Sequence, residues 1–336
     1  MEPPQQSKEQ GEVQETPSGE GDPNPETRWQ GGGVDAELED WKVRGQYFDY
    51  VGFDVFYRLE GSGPRLLLIH GYPFNSWDWA AIWPTLTKRF TVIAPDMLGM
   101  GFSDKPVRYE YSVPDHAGMH EALLAHLGVD SCHIMAHDIG VSVAQEMLTR
   151  HDGGQQSHGR FGIDSVTWLN GGLFNEAYAP RRVQTLLSRT PLGELASRWP
   201  NVLLPRRVLE RAIDELFGPN TKPSPRMREL FQQVLEFNDG KRVSPKVGRF
   251  INDRYVHRNR WVRAMRQTNV PMRFIDGPAD PNSGRHMADR YLQLIPDPDV
   301  VMLDEDIGHW PQIEAPDAVL THLLDHIERV VKDADT

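Results

Sequence analysis

The sequence is almost without cysteine: Cys132 is the only one in 336 residues, which excludes an internal disulfide bond. A chain without disulfides is typical of a reducing compartment. Cys132 stands at the start of an apolar run, residues 132–136. We therefore predict a buried packing residue there, not a reactive thiol.

Long apolar runs are also missing. No stretch approaches the ~18 consecutive apolar residues that a membrane helix needs. The N-terminus has no basic segment followed by an apolar one, the pattern of a secretory leader. From these features we expect a cytoplasmic protein without a membrane span.

Basic residues are outnumbered, with 36 Lys and Arg against 48 Asp and Glu and a formal net charge of -12. Phosphate binding draws on clustered basic side chains, so this balance disfavours a nucleic-acid or anionic-membrane partner. One basic cluster does occur, and we interpret it as a solvated helix face. Its members are Arg254, His257, Arg258, Arg260 and Arg263.

Composition and periodicity divide the chain. Residues 1–38 are rich in Pro, Gln, Glu and Gly and have almost no large apolar side chains, so we predict a disordered acidic tail. In residues 39–171, short apolar runs alternate with helical patterns, as in the first part of a mostly parallel sheet flanked by helices. Residues 172–268 carry only helical patterns and are predicted to form an inserted helical cap. Sheet character returns in 269–336, the second part of the same α/β core.

The sharpest local motif is Ala136-His137-Asp138-Ile139-Gly140. A predicted strand leads into it and a predicted helix follows, with small residues two positions either side of Asp138. This is the pattern of a nucleophile elbow, a tight turn that lifts its central side chain above the sheet. The following helix N-terminus favours an ionised carboxylate. The alternative is that Asp138 only caps the helix, a position where Asp is common.

Three motifs in order carry a family resemblance: residues 70–73 (His-Gly-Tyr-Pro), 96–106 (Asp-Met-Leu-Gly-Met-Gly-Phe-Ser-Asp-Lys-Pro) and 137–140. Together they resemble the α/β-hydrolase superfamily, specifically its branch of epoxide hydrolases and haloalkane dehalogenases. The greatest likeness is to mesoderm-specific-transcript-like hydrolases, which also match residues 170–172 (Asn-Gly-Gly) and 277–281 (Gly-Pro-Ala-Asp-Pro). The resemblance covers about residues 45–330 and implies an α/β-hydrolase fold.

An aspartate nucleophile selects the chemistry. Attack of a carboxylate on an acyl carbon would give a high-energy anhydride, whereas displacement at saturated carbon gives an ordinary alkyl ester. We therefore expect a small apolar epoxide or alkyl halide as the substrate, with water as the second reactant. Ester and peptide hydrolysis are disfavoured. We expect neither a cofactor nor a metal.

Cleavage of an Asp138 ester needs an activated water. His309 follows the last predicted strand at the usual superfamily position, and the order nucleophile, acid, histidine matches the α/β-hydrolase arrangement. Asp280 is the predicted acid that orients the imidazole, although an Asp-Pro turn would also explain it. Asp276 is the second candidate. The other acid position in the superfamily is occupied by Asn170, which cannot carry the charge.

The predicted oxyanion hole consists of the backbone N–H groups of Tyr72 and Ile139. It would act when water attacks the Asp138 ester and a tetrahedral intermediate forms. Dehalogenases of this branch hold the halide with a tryptophan after the nucleophile and an asparagine after the His-Gly pair, where this chain has Ile139 and Tyr72.

Epoxide hydrolases of this branch protonate the opening oxygen with cap tyrosines. Tyr255 and Tyr178 are the candidates, and Tyr255 is the better match. Ile139 also departs from the tryptophan that epoxide hydrolases commonly carry. The favoured hypothesis is an epoxide hydrolase. The alternatives are a haloalkane dehalogenase and a non-catalytic ligand-binding or scaffold member of the fold.

Overall fold

The computed structural model describes residues 35–181 and 206–334. Most of the predicted acidic tail and residues 182–205 of the predicted cap lie outside the described residues. No helix among those described is both long and apolar enough to cross a lipid bilayer.

Eight strands form one sheet. They are β1 (Gln46–Tyr50), β2 (Phe53–Gly61), β3 (Arg65–Ile69), β4 (Thr91–Pro95), β5 (Ser131–Ala136), β6 (Gly162–Trp168), β7 (Met272–Asp276) and β8 (Asp299–Met302). Their spatial order is β1-β2-β4-β3-β5-β6-β7-β8. β2 pairs antiparallel with β1 and β4, and all other pairs are parallel. β4 lies on one side of β3 and β5 on the other, so the direction in which the chain adds strands to the sheet reverses at β3. In open parallel sheets, ligands bind beyond the carboxyl ends of the strands at such a switch point.

Helices cover the sheet. In the described ranges they are α1 (Ala36–Val43), α2 (Trp83–Leu86), α3 (Val113–His126), α4 (Ile139–Gly153), α5 (Arg206–Asp214), α6 (Pro225–Glu236), α7 (Gly240–Val247), α8 (Phe250–Gln267), α9 (Arg285–Leu294), α10 (Pro311–Glu314) and α11 (Pro316–Ala334). Two 3-10 helices occupy Ser76–Trp79 and Phe237–Asp239. Between β6 and β7, helices α5 to α8 and the second 3-10 helix account for the regular structure of the residues described there.

β3 shows why the central strands read as continuous apolar runs. Leu67 and Ile69 pack into one hydrophobic cluster, whereas Leu66 and Leu68 pack into another. Successive side chains of a strand point to opposite faces, so a strand covered on both sides must be apolar throughout. The predicted α/β class, a mostly parallel sheet flanked by helices, is confirmed. Cys132 is fully buried in β5, as predicted, and burial raises the pKa of its thiol.

A helix occupies part of the segment that the sequence predicts to be a disordered tail. The predicted tail extends to residue 38, but α1 starts at Ala36, and the Asp35 side chain caps it by accepting a hydrogen bond from the Glu37 N–H. Leu38 is fully buried and Trp41 is 6% exposed. These two side chains bury enough apolar surface to hold the short helix, although the composition around them is that of a disordered segment.

Candidate active site

β5 and α4 meet at a sharp turn around Asp138. This residue has φ 52° and ψ -111°, a backbone conformation that L-residues rarely adopt. A Cβ on Gly140 would lie 2.3 Å from the carbonyl oxygen of Ile69 in β3, so only glycine fits there. The Asp138 side chain makes no capping hydrogen bond to α4. The helix-cap alternative is therefore not what the structure shows, and the carboxylate is directed to other groups.

The Asp138 carboxylate is almost fully buried, with 3% of the residue exposed. Its Oδ1 accepts a hydrogen bond from the Tyr72 backbone N–H at 3.0 Å. Its Oδ2 lies 3.5 Å from Nε2 of His309, which stands in the loop between β8 and α10. The Asp138 N–H donates to the carbonyl oxygen of Asn170 just beyond β6. Loops after three different strands thus meet at this residue.

His309 is held from its other side by Asp280. Its Nδ1 lies 2.8 Å from Asp280 Oδ2, in the loop between β7 and α9. Asp280 also accepts hydrogen bonds from Ser283 Oγ at 2.6 Å and from the Asn282 N–H at 2.8 Å. Asp276, the second candidate, instead accepts a hydrogen bond from the Asn170 amide at 3.1 Å. The structure therefore brings Asp280 to the imidazole.

The two carboxylates determine the charge of the imidazole. Burial opposes protonation of His309, but the charge of Asp280 and the hydrogen bonds to Asp138 and Asp280 outweigh it and raise the pKa of His309 to about 10. Burial likewise favours the neutral form of Asp138, yet the hydrogen bond and charge of His309 hold the pKa of that carboxyl below its usual value. At neutral pH the arrangement is carboxylate, imidazolium, carboxylate.

The two predicted oxyanion donors flank Asp138. Tyr72 points its N–H at the carboxylate, and its hydroxyl lies 2.7 Å from Ser244 Oγ in α7. Ile139 is the first residue of α4. The N–H of a first helical residue has no partner within its own helix, so it is available for a ligand.

Comparison with known proteins gives these residues a family context. The model of the α/β-hydrolase fold matches residues 64–171. The mesoderm-specific transcript protein of Mus musculus is 38% identical over 288 residues, which are 83% of this chain and 84% of that protein. The chain belongs to the mesoderm-specific transcript family of α/β hydrolases. LipZ of Mycobacterium tuberculosis is 32% identical over 293 residues, or 86% of this chain and 98% of that protein.

Solved structures agree on the fold. A loop variant of haloalkane dehalogenase DbeA from Bradyrhizobium elkanii superposes with a TM-score of 0.71 at 18% identity, over 87% of this chain and 99% of that one. Epoxide hydrolase CorEH superposes with a TM-score of 0.67 at 21% identity, over 85% and 99%. At these identities the likeness shows the α/β-hydrolase fold alone.

The two predicted proton donors of this hydrolase differ in position. Tyr255, on α8, is 43% exposed. Tyr178 is 8% exposed, its hydroxyl has no hydrogen-bond partner among the described residues, and burial raises its pKa to about 12. Burial favours Tyr178 over Tyr255, and the role of either tyrosine as a proton donor stays a prediction. Successive helical residues point about 100° apart, and it is Arg254 that α8 directs inward.

Sequence analysis missed Arg254. It was assigned to a solvated basic face, but it is 2% exposed, whereas Arg258 and Arg263 are exposed. Its Nε donates to Ser142 Oγ at 2.8 Å and its Nη2 to the Asp138 carbonyl oxygen at 3.2 Å. A signal was present, because Arg254 stands four residues after the buried Phe250, on the same face of the helix.

His137 and Asp78 were missed as well. Nε2 of His137 donates to the carbonyl oxygen of His309 at 2.7 Å, and burial lowers the pKa of His137 to about 3, so this imidazole is neutral. Asp78, in the first 3-10 helix, is 1% exposed, and neither carboxyl oxygen has a hydrogen-bond partner among the described residues. Burial raises the pKa of Asp78 well above its ordinary value and so favours the neutral acid.

Proposed function

We propose that this chain hydrolyses epoxides through a covalent intermediate, with Asp138 as the nucleophile, His309 as the base and Asp280 as the acid that orients it. One observation carries the proposal. The three side chains form a continuous buried series, 3.5 Å from Asp138 to His309 and 2.8 Å from His309 to Asp280. A carboxylate in the nucleophile position is suited to attack saturated carbon, and a strained epoxide is the electrophile that needs no separate leaving-group site.

In the first step, one Asp138 oxygen attacks an epoxide carbon and the carbon–oxygen bond of the ring breaks. Oδ1 accepts the hydrogen bond of the Tyr72 N–H, so the attacking oxygen in this proposal is Oδ2, which lies 3.5 Å from Nε2 of His309. The opening oxygen takes a proton from the Tyr178 hydroxyl, whose pKa burial raises to about 12, so that it is protonated at neutral pH. The products are an Asp138 alkyl ester and a Tyr178 phenolate.

Ester formation prepares the base. Alkylation removes the negative charge of Asp138, one of the two charges that raise the pKa of His309. The pKa of His309 falls, and the proton it releases restores the Tyr178 phenol. The neutral imidazole then takes a proton from a water that attacks the ester carbonyl carbon. Asp280 stabilises the imidazolium that forms.

The backbone N–H groups of Tyr72 and Ile139 serve this second step. The oxygen that Tyr72 already binds in the free protein becomes the ester carbonyl oxygen and then the oxyanion of the tetrahedral intermediate. Each such donor contributes roughly 3 kcal/mol in serine hydrolases. Collapse of the intermediate breaks the bond between the Asp138 carboxyl carbon and the diol oxygen, which takes the proton from His309 and leaves as the diol. The Asp138 carboxyl then gives its remaining proton to the imidazole and becomes a carboxylate again.

A single turnover in heavy-oxygen water tests this route on a panel of small apolar epoxides. We expect the label in the Asp138 carboxylate and none in the first diol released, because the new diol oxygen comes from Asp138. Label in the diol with an unlabelled Asp138 would mean direct attack by water and would contradict the covalent mechanism.

The same panel should contain short haloalkanes, since a dehalogenase is the alternative. Neither flanking side chain favours it: Ile139 is apolar, and the Tyr72 hydroxyl is bound to Ser244. Halide release with no diol formation would replace the epoxide proposal. An absence of any adduct in H309Q across the whole panel would favour the non-catalytic alternative.

A further inference from the structure

Arg254 is a buried cation without an anionic partner of its own. Only 2% of the residue is exposed, and no described carboxylate forms an ion pair with it. The effective cost of burying an unpaired charge is several kcal/mol. A buried arginine in this position therefore needs a compensating interaction.

Its hydrogen bonds go to the nucleophile turn. The guanidinium binds Ser142 Oγ in the first turn of α4 and the carbonyl oxygen of Asp138. Both acceptors are neutral, so they orient the group without compensating its charge. Nη1 is buried and has no hydrogen-bond partner among the described residues.

The surroundings hold the guanidinium in one place. Its carbon lies 4.6 Å from the ring centre of Tyr178 and 4.8 Å from that of Phe250. A Cβ on Gly172 would lie 2.3 Å from Nη1, so the group rests against the Gly172 backbone. Arg254 thus ties α8 to the turn, and its charge stays fixed beside Asp138.

The Asp138 carboxylate is the negative charge with which the Arg254 guanidinium interacts. Other titratable groups also interact with this carboxylate: His70, Tyr72, Asp78, His137, Tyr178 and His309. Burial lowers the pKa of His70 and His137 and raises that of the two tyrosines and Asp78, so it favours the neutral form of all five. When His309 has lost its proton, Arg254 is the cation that remains within this group.

We propose that Arg254 is a positioning residue whose fixed charge keeps Asp138 ionised whether or not His309 carries a proton. This inference rests on the proposed function, because it concerns the readiness of the nucleophile. When the ester is cleaved, the departing diol oxygen takes the proton of His309, so the imidazole is neutral at the moment when the Asp138 carboxyl forms again. Arg254 supplies the positive charge at that moment.

The test measures Asp138 directly in the full chain. In an H309Q background the imidazolium is absent, and carbon-13 NMR of labelled aspartate carboxyls follows the Asp138 titration, assigned by its loss in D138N. We expect R254Q, added to H309Q, to raise the pKa of Asp138 by about one pH unit or more. R254K should leave the pKa near that of H309Q alone, because it keeps the charge. R258Q is the matched control, one turn along the same helix and exposed, and should change nothing.

A second variant covers the case in which R254Q does not fold. In G172A the new methyl group displaces the guanidinium while the arginine stays charged, and we expect a smaller rise in the Asp138 pKa. If R254Q and G172A fold and neither changes the pKa of Asp138, the proposal is overturned. An equal rise of the Asp138 pKa in R254K and R254Q would also overturn the proposal. The forked hydrogen bonds of the guanidinium, and not its charge, would then be responsible.

The titration requires no turnover, so it separates this inference from the proposed function. An Asp138 pKa that responds to R254Q in a protein that forms no adduct would support the electrostatic role and contradict the epoxide mechanism. If adducts do form, their rate in H309Q should decline below the Asp138 pKa, and R254Q should move that decline to higher pH.

Discussion

His309 is held close to Asp280 and less closely to Asp138: its Nδ1 lies 2.8 Å from Asp280 Oδ2, and its Nε2 lies 3.5 Å from Asp138 Oδ2. The imidazole is therefore fixed on the acid side. It can keep its orientation when the charge of Asp138 is lost to an ester, which is what a base for the second step of the proposed reaction requires.

Replacing His309 with Gln should separate the two chemical steps. The nucleophile and proton donor remain, so H309Q should form an alkyl-enzyme, but without a base its steady-state turnover should fall by about 10²–10⁴-fold. Intact-protein mass spectrometry would detect the added substrate mass, and peptide mapping would locate it. H158Q, which alters an exposed histidine, should turn over normally. An adduct on a residue other than Asp138 would contradict the assignment.

Asp280 and Asp276 form a matched pair. D280N removes the charge that orients and stabilises the imidazolium, and we expect kcat to fall by about 10⁴-fold, as for the equivalent change in a serine protease. Burial raises the pKa of Asp276 to about 8, so this acid is mostly protonated at pH 7 and an amide resembles it. D276N should therefore retain most of the activity. Equal losses in both variants would show that the loop, not the charge, matters.

Tyr178 and Tyr255 offer a second matched pair. If the Tyr178 hydroxyl protonates the opening oxygen, Y178F should slow single-turnover alkylation by about 100-fold or more. Y255F should leave the rate unchanged, because Tyr255 is exposed on α8. Rapid-quench measurement of adduct formation compares the two. The reverse order of effects would restore the preference that sequence alone suggested.

Asp78 should make stability depend on pH. Its pKa is raised by burial, so the folded protein retains a proton that the unfolded chain releases. Stability from this group is present below the unfolded pKa, near 3.9, and is lost as pH rises toward the folded value. D78N removes the dependence, and we expect its Tm to exceed that of the wild type by about 2–4 °C at pH 8.

The Asp78 prediction is checked by thermal unfolding of both proteins between pH 4 and pH 8. The difference in Tm should be smallest at pH 4, close to the unfolded pKa of Asp78, and should grow with pH. A constant difference would mean that the substitution acts through packing and not through ionisation.

Much of the fold was predictable because its signals are local. β3 and β5 are uninterrupted apolar runs, and small residues either side of Asp138 mark a tight turn between a strand and a helix. The start of α1 was not predictable in the same way. Leu38 is ordered by distant packing partners, and the composition of the surrounding segment does not report them.

The sequence by itself determined the α/β class, the family and the position of Asp138 at a strand–helix corner, because each depends on neighbours within a few residues. Tertiary structure alone decided which acid contacts His309, which tyrosine is buried and which arginine α8 turns toward the nucleophile. Arg254 and Asp138 are separated by 116 positions. Contacts between residues so far apart in the sequence depend on how the inserted helices pack on the sheet. Adjacent residues of a helix point in different directions, so one can be buried while its neighbour is solvated.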